Sequence, residues 1–214
     1  MTFVQGPTLA LLAAAIGGYL LGSIPFGVIA TRVGGAGDVR AIGSGSIGAT
    51  NVLRTGRRDL ALLTLLGDAG KGAAAVLLAN ALLGPTAAVV AGGAAFIGHL
   101  YPVWLGFKGG KGVATFYGIL FGLAWPVGLA AGAIWIAMAA IFRISSVAGL
   151  TSATVTPLLF LLLDHSAAGH STPGRLGLAV AMAALILLRH QANIRRLLKG
   201  EEPRIGGVKT QSAA

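Results

Sequence analysis

Long apolar runs alternate with short polar breaks along this chain. Nearly unbroken hydrophobic stretches occupy about residues 8–30, 60–82, 86–107, 112–124, 126–142, 145–163 and 174–190. About 20 apolar residues in a helix cross the hydrocarbon of a bilayer. The fourth and fifth runs are short and Pro126 separates them, so they form either two spans or one kinked helix. The pattern predicts an all-α integral membrane protein of about seven transmembrane helices. Residues 1–198 read as a single polytopic membrane domain and 199–214 as a flexible basic cytoplasmic tail. No basic residue precedes the first run, whose basic flank begins at Arg32, so that run reads as a retained span rather than a cleaved signal.

Charge placement chooses between six spans and seven. Arg32, Arg40, Arg54, Arg57 and Arg58 lie between the first two runs, Lys108 and Lys111 follow the third, and Arg143 follows the fifth. The stretch "LGPT" at 83–86 carries no charge, and "DHSAAGHSTPGR" near 164–175 carries one Arg at its end. The C-terminal stretch from Arg189 is strongly basic. With seven spans and the N-terminus outside, nearly every Lys and Arg falls in the cytoplasm. Six spans would place the basic tail and the 31–58 loop on opposite sides. Seven spans are therefore expected, with a cytoplasmic C-terminus.

Composition agrees with the membrane reading. Hydrophobic residues make up 55% of 214 and charged residues only 10%, against about 25% charged in soluble domains. The 34 glycines suit closely approaching transmembrane helices. With no cysteine, disulfides and thiolate metal sites are excluded. The net charge of +10 points, in a membrane protein, to membrane lipid and anionic substrates rather than nucleic acid.

The polar breaks are richer than turns require. "GSGSIGATNVLRTGRR", residues 43–58, offers neutral donors at Ser44, Ser46, Thr50 and Asn51, small residues at Gly43, Gly45, Gly48 and Ala49, and at Arg54 a planar fork suited to phosphate. Ser and Thr also cap helices, and Arg57 and Arg58 are discounted as headgroup contacts. "GFKGGKGVAT", residues 106–115, is not a Walker loop: three residues rather than four precede its "GK", and Gly112 stands where Ser or Thr should. Its glycines could still let backbone N–H groups at Gly109 and Gly110 converge on an anion, with Lys108 and Lys111 supplying charge. A basic juxtamembrane turn would explain the lysines but not the glycines.

Asp68 and Lys71, in "GDAGKG", are three apart and so share a helical face as an expected structural ion pair. His190 and Asn193, in "LLRHQANIRR", also share a face; an interfacial histidine bonded to backbone is the plainer alternative. His99 reads as a packing residue, and His165 and His170 as solvated loop residues. No Ser sits in G-x-S-x-G, no His is followed five positions later by Asp, and no carboxylate cluster offers a metal site. The chain presents cations and hydrogen bonds but no evident general base.

Five motifs, "GSIPFGVIATR", "SGSIGATNVLR", "GDAGKG", "GHLYPVWLGFKGGKGVAT" and "LLRHQANIRRL", resemble in order those of the bacterial acyl-phosphate:glycerol-3-phosphate acyltransferase (PlsY) family, from about Gly22 to Leu197. One departure is Ser46, where that family usually has Asn. The resemblance implies seven helices with the N-terminus outside, in the bacterial inner membrane, and an active site facing the cytoplasm. It implies acyl transfer from acyl phosphate to the sn-1 hydroxyl of glycerol 3-phosphate, giving 1-acyl-glycerol 3-phosphate (lysophosphatidic acid) and inorganic phosphate, without a metal. No cofactor is expected, and a monomer is the expected state. Its functional positions fall here on Ser44, Thr50, Asn51, Arg54, Lys111, Ser145 or Ser146, His190 and Asn193. The expected catalytic set is Ser44, Arg54, Lys111, His190 and Asn193. Gly45, Ser46, Thr50, Asn51, Lys108, Gly109, Gly110, Ser145 and Ser146 are expected to bind substrate. An acyl phosphate already carries a good leaving group, so a substrate phosphate suffices as base and no protein nucleophile is expected. The rivals are a phosphate or phospho-metabolite transporter, which shares the cationic glycine-rich signals, and an acyl-CoA-dependent acyltransferase, which the missing His–Asp spacing weakens.

Overall fold

The computed structural model describes residues 5–164 and 172–205, and all regular structure among them is helical. His165 and His170 lie outside the described residues. The α-helices are α1 (Gln5–Gly22), α2 (Phe26–Val33), α3 (Ala49–Val52), α4 (Arg58–Leu83), α5 (Pro85–Leu100), α6 (Val113–Leu123), α7 (Trp125–Phe142), α8 (Ser145–Leu163), α9 (Thr172–Arg189) and α10 (Gln191–Leu198).

The first apolar run is not one helix. It breaks at Ser23–Pro25, because Pro25 has no N–H to donate and disfavours helical backbone at Ile24. Five stretches are long and apolar enough to cross a membrane: Thr8–Val33, Arg58–Leu83, Pro85–Leu105, Trp125–Phe142 and Ser145–Leu163. Gly174–Arg189 and Gln191–Leu198 qualify together, bent by 61° at their junction. α6 has 11 residues, about 16 Å of helix, too short to span alone. Ala124 separates α6 from α7, whose first turn contains Pro126, so the fourth and fifth runs are two helices and not one kinked helix.

The helices present leucines outward and bury small residues. Leu62, Leu66, Leu77, Leu78 and Leu82 of α4 are exposed, as a lipid-facing surface requires, while Ala75, Val76 and Ala79 are buried. α1 packs on α5 so closely that a methyl on Gly22 would overlap the Ala95 backbone; α4 meets α6 in the same way, at Ala69 and Gly118. Phe96, Phe116, Ile119, Leu120, Met182 and Ile186 fill the main core across α5, α6 and α9.

A charged pair is buried inside this packing. Lys71 Nζ donates to Asp68 Oδ1 at 2.7 Å and to the carbonyl freed at Ile24 at 2.8 Å, tying α4 to the break in the first run. The expected ion pair is present and fully buried.

Candidate active site

Four segments meet at one end of the bundle: the 34–57 loop, the 101–112 loop, the α7–α8 turn, and the α9–α10 bend with the residues that follow it. In the first loop, Gly43 and Gly45 take left-handed backbone (φ 57° and 69°), which glycine adopts without steric cost. The loop closes around Asn51, whose Nδ2 donates to the carbonyls of Val39, Ile42 and Ser46 at 2.8–2.9 Å while its Oδ1 accepts from the Ser44 N–H at 3.1 Å. The Asn51 amide is thus committed to shaping the loop. Ser46 Oγ accepts from the Gly48 N–H at 3.5 Å, and Thr50 is exposed.

The loop's arginines divide by partner. Arg40 pairs with Asp38 at 2.5 Å, and Arg57 with Asp59 at 2.6 Å and the Gly34 carbonyl at 2.9 Å. Arg54 makes no ion pair or side-chain hydrogen bond among the described residues; it borders a cavity of about 130 Å³ with Gly43, Ser44, Arg196, Glu201 and Pro203.

The glycine–lysine loop is held by its own backbone. The Gly109 N–H donates to the Leu100 carbonyl and the Gly110 N–H to the His99 carbonyl, both at 3.1 Å. This corrects the expectation that these two N–H groups face an anion: the end of α5 leaves carbonyls unpaired, and the glycines satisfy them. Their own carbonyls accept from Arg189 Nη2 and Nε, at 3.0 and 3.2 Å. Lys108 is exposed. Lys111 is half-buried, and its Nζ donates to Asn193 Oδ1 at 2.6 Å. Burial pushes the Lys111 ammonium down to about 8; the Glu202 carboxylate opposes this, and Arg196, Arg54 and Arg189 reinforce it.

Glu202 joins the remaining pieces. Its Oε1 accepts from Asn193 Nδ2 at 2.5 Å and from Ser146 Oγ at 2.7 Å, and its Oε2 from Arg196 Nε at 2.7 Å. Burial raises its proton affinity, but the three donors prevail and hold the carboxyl below its ordinary range. Glu202 lies on a strap that leaves α10 at Gly200 (φ 71°) and reaches the α7–α8 turn, where the Ile205 N–H donates to the Arg143 carbonyl at 2.6 Å. Residues 199–205 are therefore docked, which revises the expectation of a free tail from 199; residues 206–214 lie outside the described residues. Buried His190 sits at the α9–α10 bend with Nδ1 2.8 Å from the Ile186 carbonyl. A carbonyl only accepts, so Nδ1 carries the proton and a neutral ring keeps Nε2 as acceptor.

The glycerol-3-phosphate acyltransferase family model matches residues 12–200. A glycerol-3-phosphate acyltransferase of Caulobacter vibrioides is 62% identical over 208 residues, covering 96% of this chain and 93% of the relative. One of Maricaulis maris is 58% identical over 203 residues, covering 95% and 91%. The crystal structure of PlsY, an integral membrane glycerol 3-phosphate acyltransferase, in its glycerol 3-phosphate form superposes with a TM-score of 0.83 at 36% identity, covering 92% of this chain and 96% of that one. Its lysophosphatidic acid form gives a TM-score of 0.81. The chain belongs to the glycerol-3-phosphate acyltransferase family.

In this family member Lys111, Asn193 and Ser146 form one bonded cluster, and Ser44 and Arg54 line the adjoining cavity. Of the two serines at the start of α8, Ser146 is the one that reaches the cluster. Glu202 and Arg196 are the residues that sequence reasoning missed. A signal existed: the chain has six Asp and Glu in all, and two of them stand together at 201–202 in a basic tail.

Proposed function

We propose that the protein transfers a fatty acyl group from acyl phosphate to the sn-1 hydroxyl of glycerol 3-phosphate, at a site on the cytoplasmic side of a bacterial inner membrane. The observation that carries this reading is a cavity bordered by uncommitted Arg54 and by Arg196, which Glu202 and Asn193 link to half-buried Lys111, with no nucleophile–base pair beside it among the described residues. Two substrate phosphates brought together repel unless cations screen them, and this end of the bundle concentrates cations. The family's name and the glycerol 3-phosphate and lysophosphatidic acid forms of its solved member support the acceptor.

In the reaction the sn-1 oxygen forms an ester bond to the acyl carbon while the bond from that carbon to the phosphate oxygen breaks. The hydroxyl proton passes to a substrate phosphate oxygen, and hydrogen phosphate leaves. Arg54 and Lys111 stabilise the charge that gathers on the leaving phosphate, Ser44 adds a neutral donor, and Nε2 of His190 accepts from the glycerol hydroxyls and orients them. Asn193 fixes the Lys111 ammonium, and Asn51 fixes the loop that sets Gly43 and Ser44 beside Arg54. The fatty chain lies between the helices of the first four apolar runs. Seven traverses with the N-terminus outside, the seventh made by α6 together with the loop that leads into it, put all four site-forming segments in the cytoplasm, in keeping with their charge.

The test compares donors. Purified protein in lipid receives glycerol 3-phosphate with palmitoyl phosphate or with palmitoyl-CoA, and 1-acyl-glycerol 3-phosphate is quantified by mass spectrometry. Product from palmitoyl phosphate alone is expected; sustained product from palmitoyl-CoA alone would replace the donor assignment.

A further inference from the structure

Among the described residues, three buried ionisable side chains stand outside the proposed chemistry: Asp68 and Lys71 on α4, and His99 on α5, each 1–3% exposed. Besides the Asp68–Lys71 pair, His99 Nδ1 lies 3.5 Å from the same Asp68 Oδ1. Ionisable groups at such depth are costly and need a reason. What adjoins this triad is the loop that carries Lys111. His99 Nε2 faces Gly110 so closely that a methyl on that glycine would overlap the ring. The His99 carbonyl also accepts the Gly110 N–H. Arg189 holds the carbonyls of Gly109 and Gly110 and places its guanidinium 5.3 Å from the Tyr101 ring centre. Imidazole and guanidinium thus pin the same two glycines, and Lys111 is the next residue.

We infer that His99, packed beside the buried Asp68–Lys71 pair, is a positioning residue of the active site: its imidazole props the Gly109–Gly110 backbone and so sets where the Lys111 ammonium meets Asn193. The sequence alone suggested only packing for His99. The inference rests on the reaction proposed above, because it is that reaction which needs Lys111 in place.

The experiment uses full-length protein in lipid and four variants: His99→Leu, His99→Gln, Gly110→Ala and the double variant His99→Ala/Gly110→Ala. Phosphate release from palmitoyl phosphate and glycerol 3-phosphate is followed against pH, alongside melting temperature and hydrogen exchange of residues 106–112. His99→Leu and Gly110→Ala are each expected to lower kcat/KM about ten- to a hundredfold, the scale of a misplacement near 1 Å. His99→Gln, which keeps a donor for Asp68, should lose less. The double variant should regain part of what Gly110→Ala loses, because the collision is gone. A displaced ammonium leaves its dry setting among Asn193, Glu202, Arg196, Arg54 and Arg189, so the alkaline limb moves above about 8. A merely destabilised protein would melt earlier with its limb unmoved.

Wild-type kcat/KM in Gly110→Ala, or an unshifted limb with full turnover in His99→Leu, would overturn the inference. If His99→Leu does not fold, the Gly110→Ala and double variants decide. If the wild type releases no phosphate in response to glycerol 3-phosphate, it is the proposed reaction that fails. Hydrogen exchange then still judges His99, since faster exchange at 108–112 in a His99 variant supports the prop and unchanged exchange removes it.

Discussion

Lys111 Nζ donates to Asn193 Oδ1 at 2.6 Å, and that one bond joins the loop before α6 to the helix after the bend at His190. It places a cation between two segments 82 residues apart in sequence, and the same asparagine passes its other polar atom to Glu202. Charge, orientation and the docked strap therefore act as one unit.

Lys111→Met should abolish measurable transfer, lowering kcat/KM about a hundred- to a thousandfold, as loss of a preorganised charge at a reacting group does. Lys111→Arg should rescue little, because a guanidinium does not reproduce the ammonium's compact geometry. Steady-state kinetics with both substrates varied would check this.

The two arginines of the first loop make an internal comparison. Arg54→Ala should lose about a hundredfold in kcat/KM, whereas Arg57→Ala, at an exposed pair with Asp59, should change it by less than about threefold. Equal losses in the two variants would show that the loop's charge acts in bulk and not through Arg54.

The pH dependence follows from Lys111. Its folded-state value is depressed to about 8, so the ammonium is present below that pH and is lost above it. With no other change, kcat/KM should fall as pH rises through about 8. Glu202→Gln removes a carboxylate that favours the charged form, so the falling limb should move to lower pH. An upward move would contradict the geometry around Lys111.

Glu202→Ala leaves the Ser146 hydroxyl, the Asn193 amide and the Arg196 guanidinium without their common acceptor. Turnover should drop about ten- to a hundredfold, because an orienting contact is lost, and the strap should become protease-sensitive near Glu201. Limited proteolysis in lipid read with activity checks both. Full activity with a loosened strap would separate the strap from the site.

The Asp68–Lys71 pair predicts a stability pattern. Lys71→Met alone strands a buried carboxylate and should cost about 3–5 kcal/mol, whereas Asp68→Leu/Lys71→Met removes both charges and should cost less than the single change. Thermal unfolding of the protein in detergent measures the difference.

Much of this was legible in the sequence, for physical reasons. Apolar length announces helices, so the limits of α4, α7 and α8 came within two residues. The break in the first run was not foreseen: it read as one span although Pro25 stands inside it. The spacing of Asp68 and Lys71 gave their pairing, since three residues on a helix fix proximity. Long-range partners were not legible. Glycines at 109–110 signalled close approach, but only the fold shows that His99 approaches them and that their N–H groups close the end of α5. Glu202 sat in a basic tail with nothing local to say that Asn193, Ser146 and Arg196 would meet it.

The most direct test of the central claim is stoichiometry. Purified protein in lipid, given palmitoyl phosphate and glycerol 3-phosphate, should release phosphate and form 1-acyl-glycerol 3-phosphate in equal amounts, and a folded Arg54→Ala variant should do neither. Phosphate release that proceeds without glycerol 3-phosphate, or no release from intact substrate by folded wild-type protein, would contradict the account.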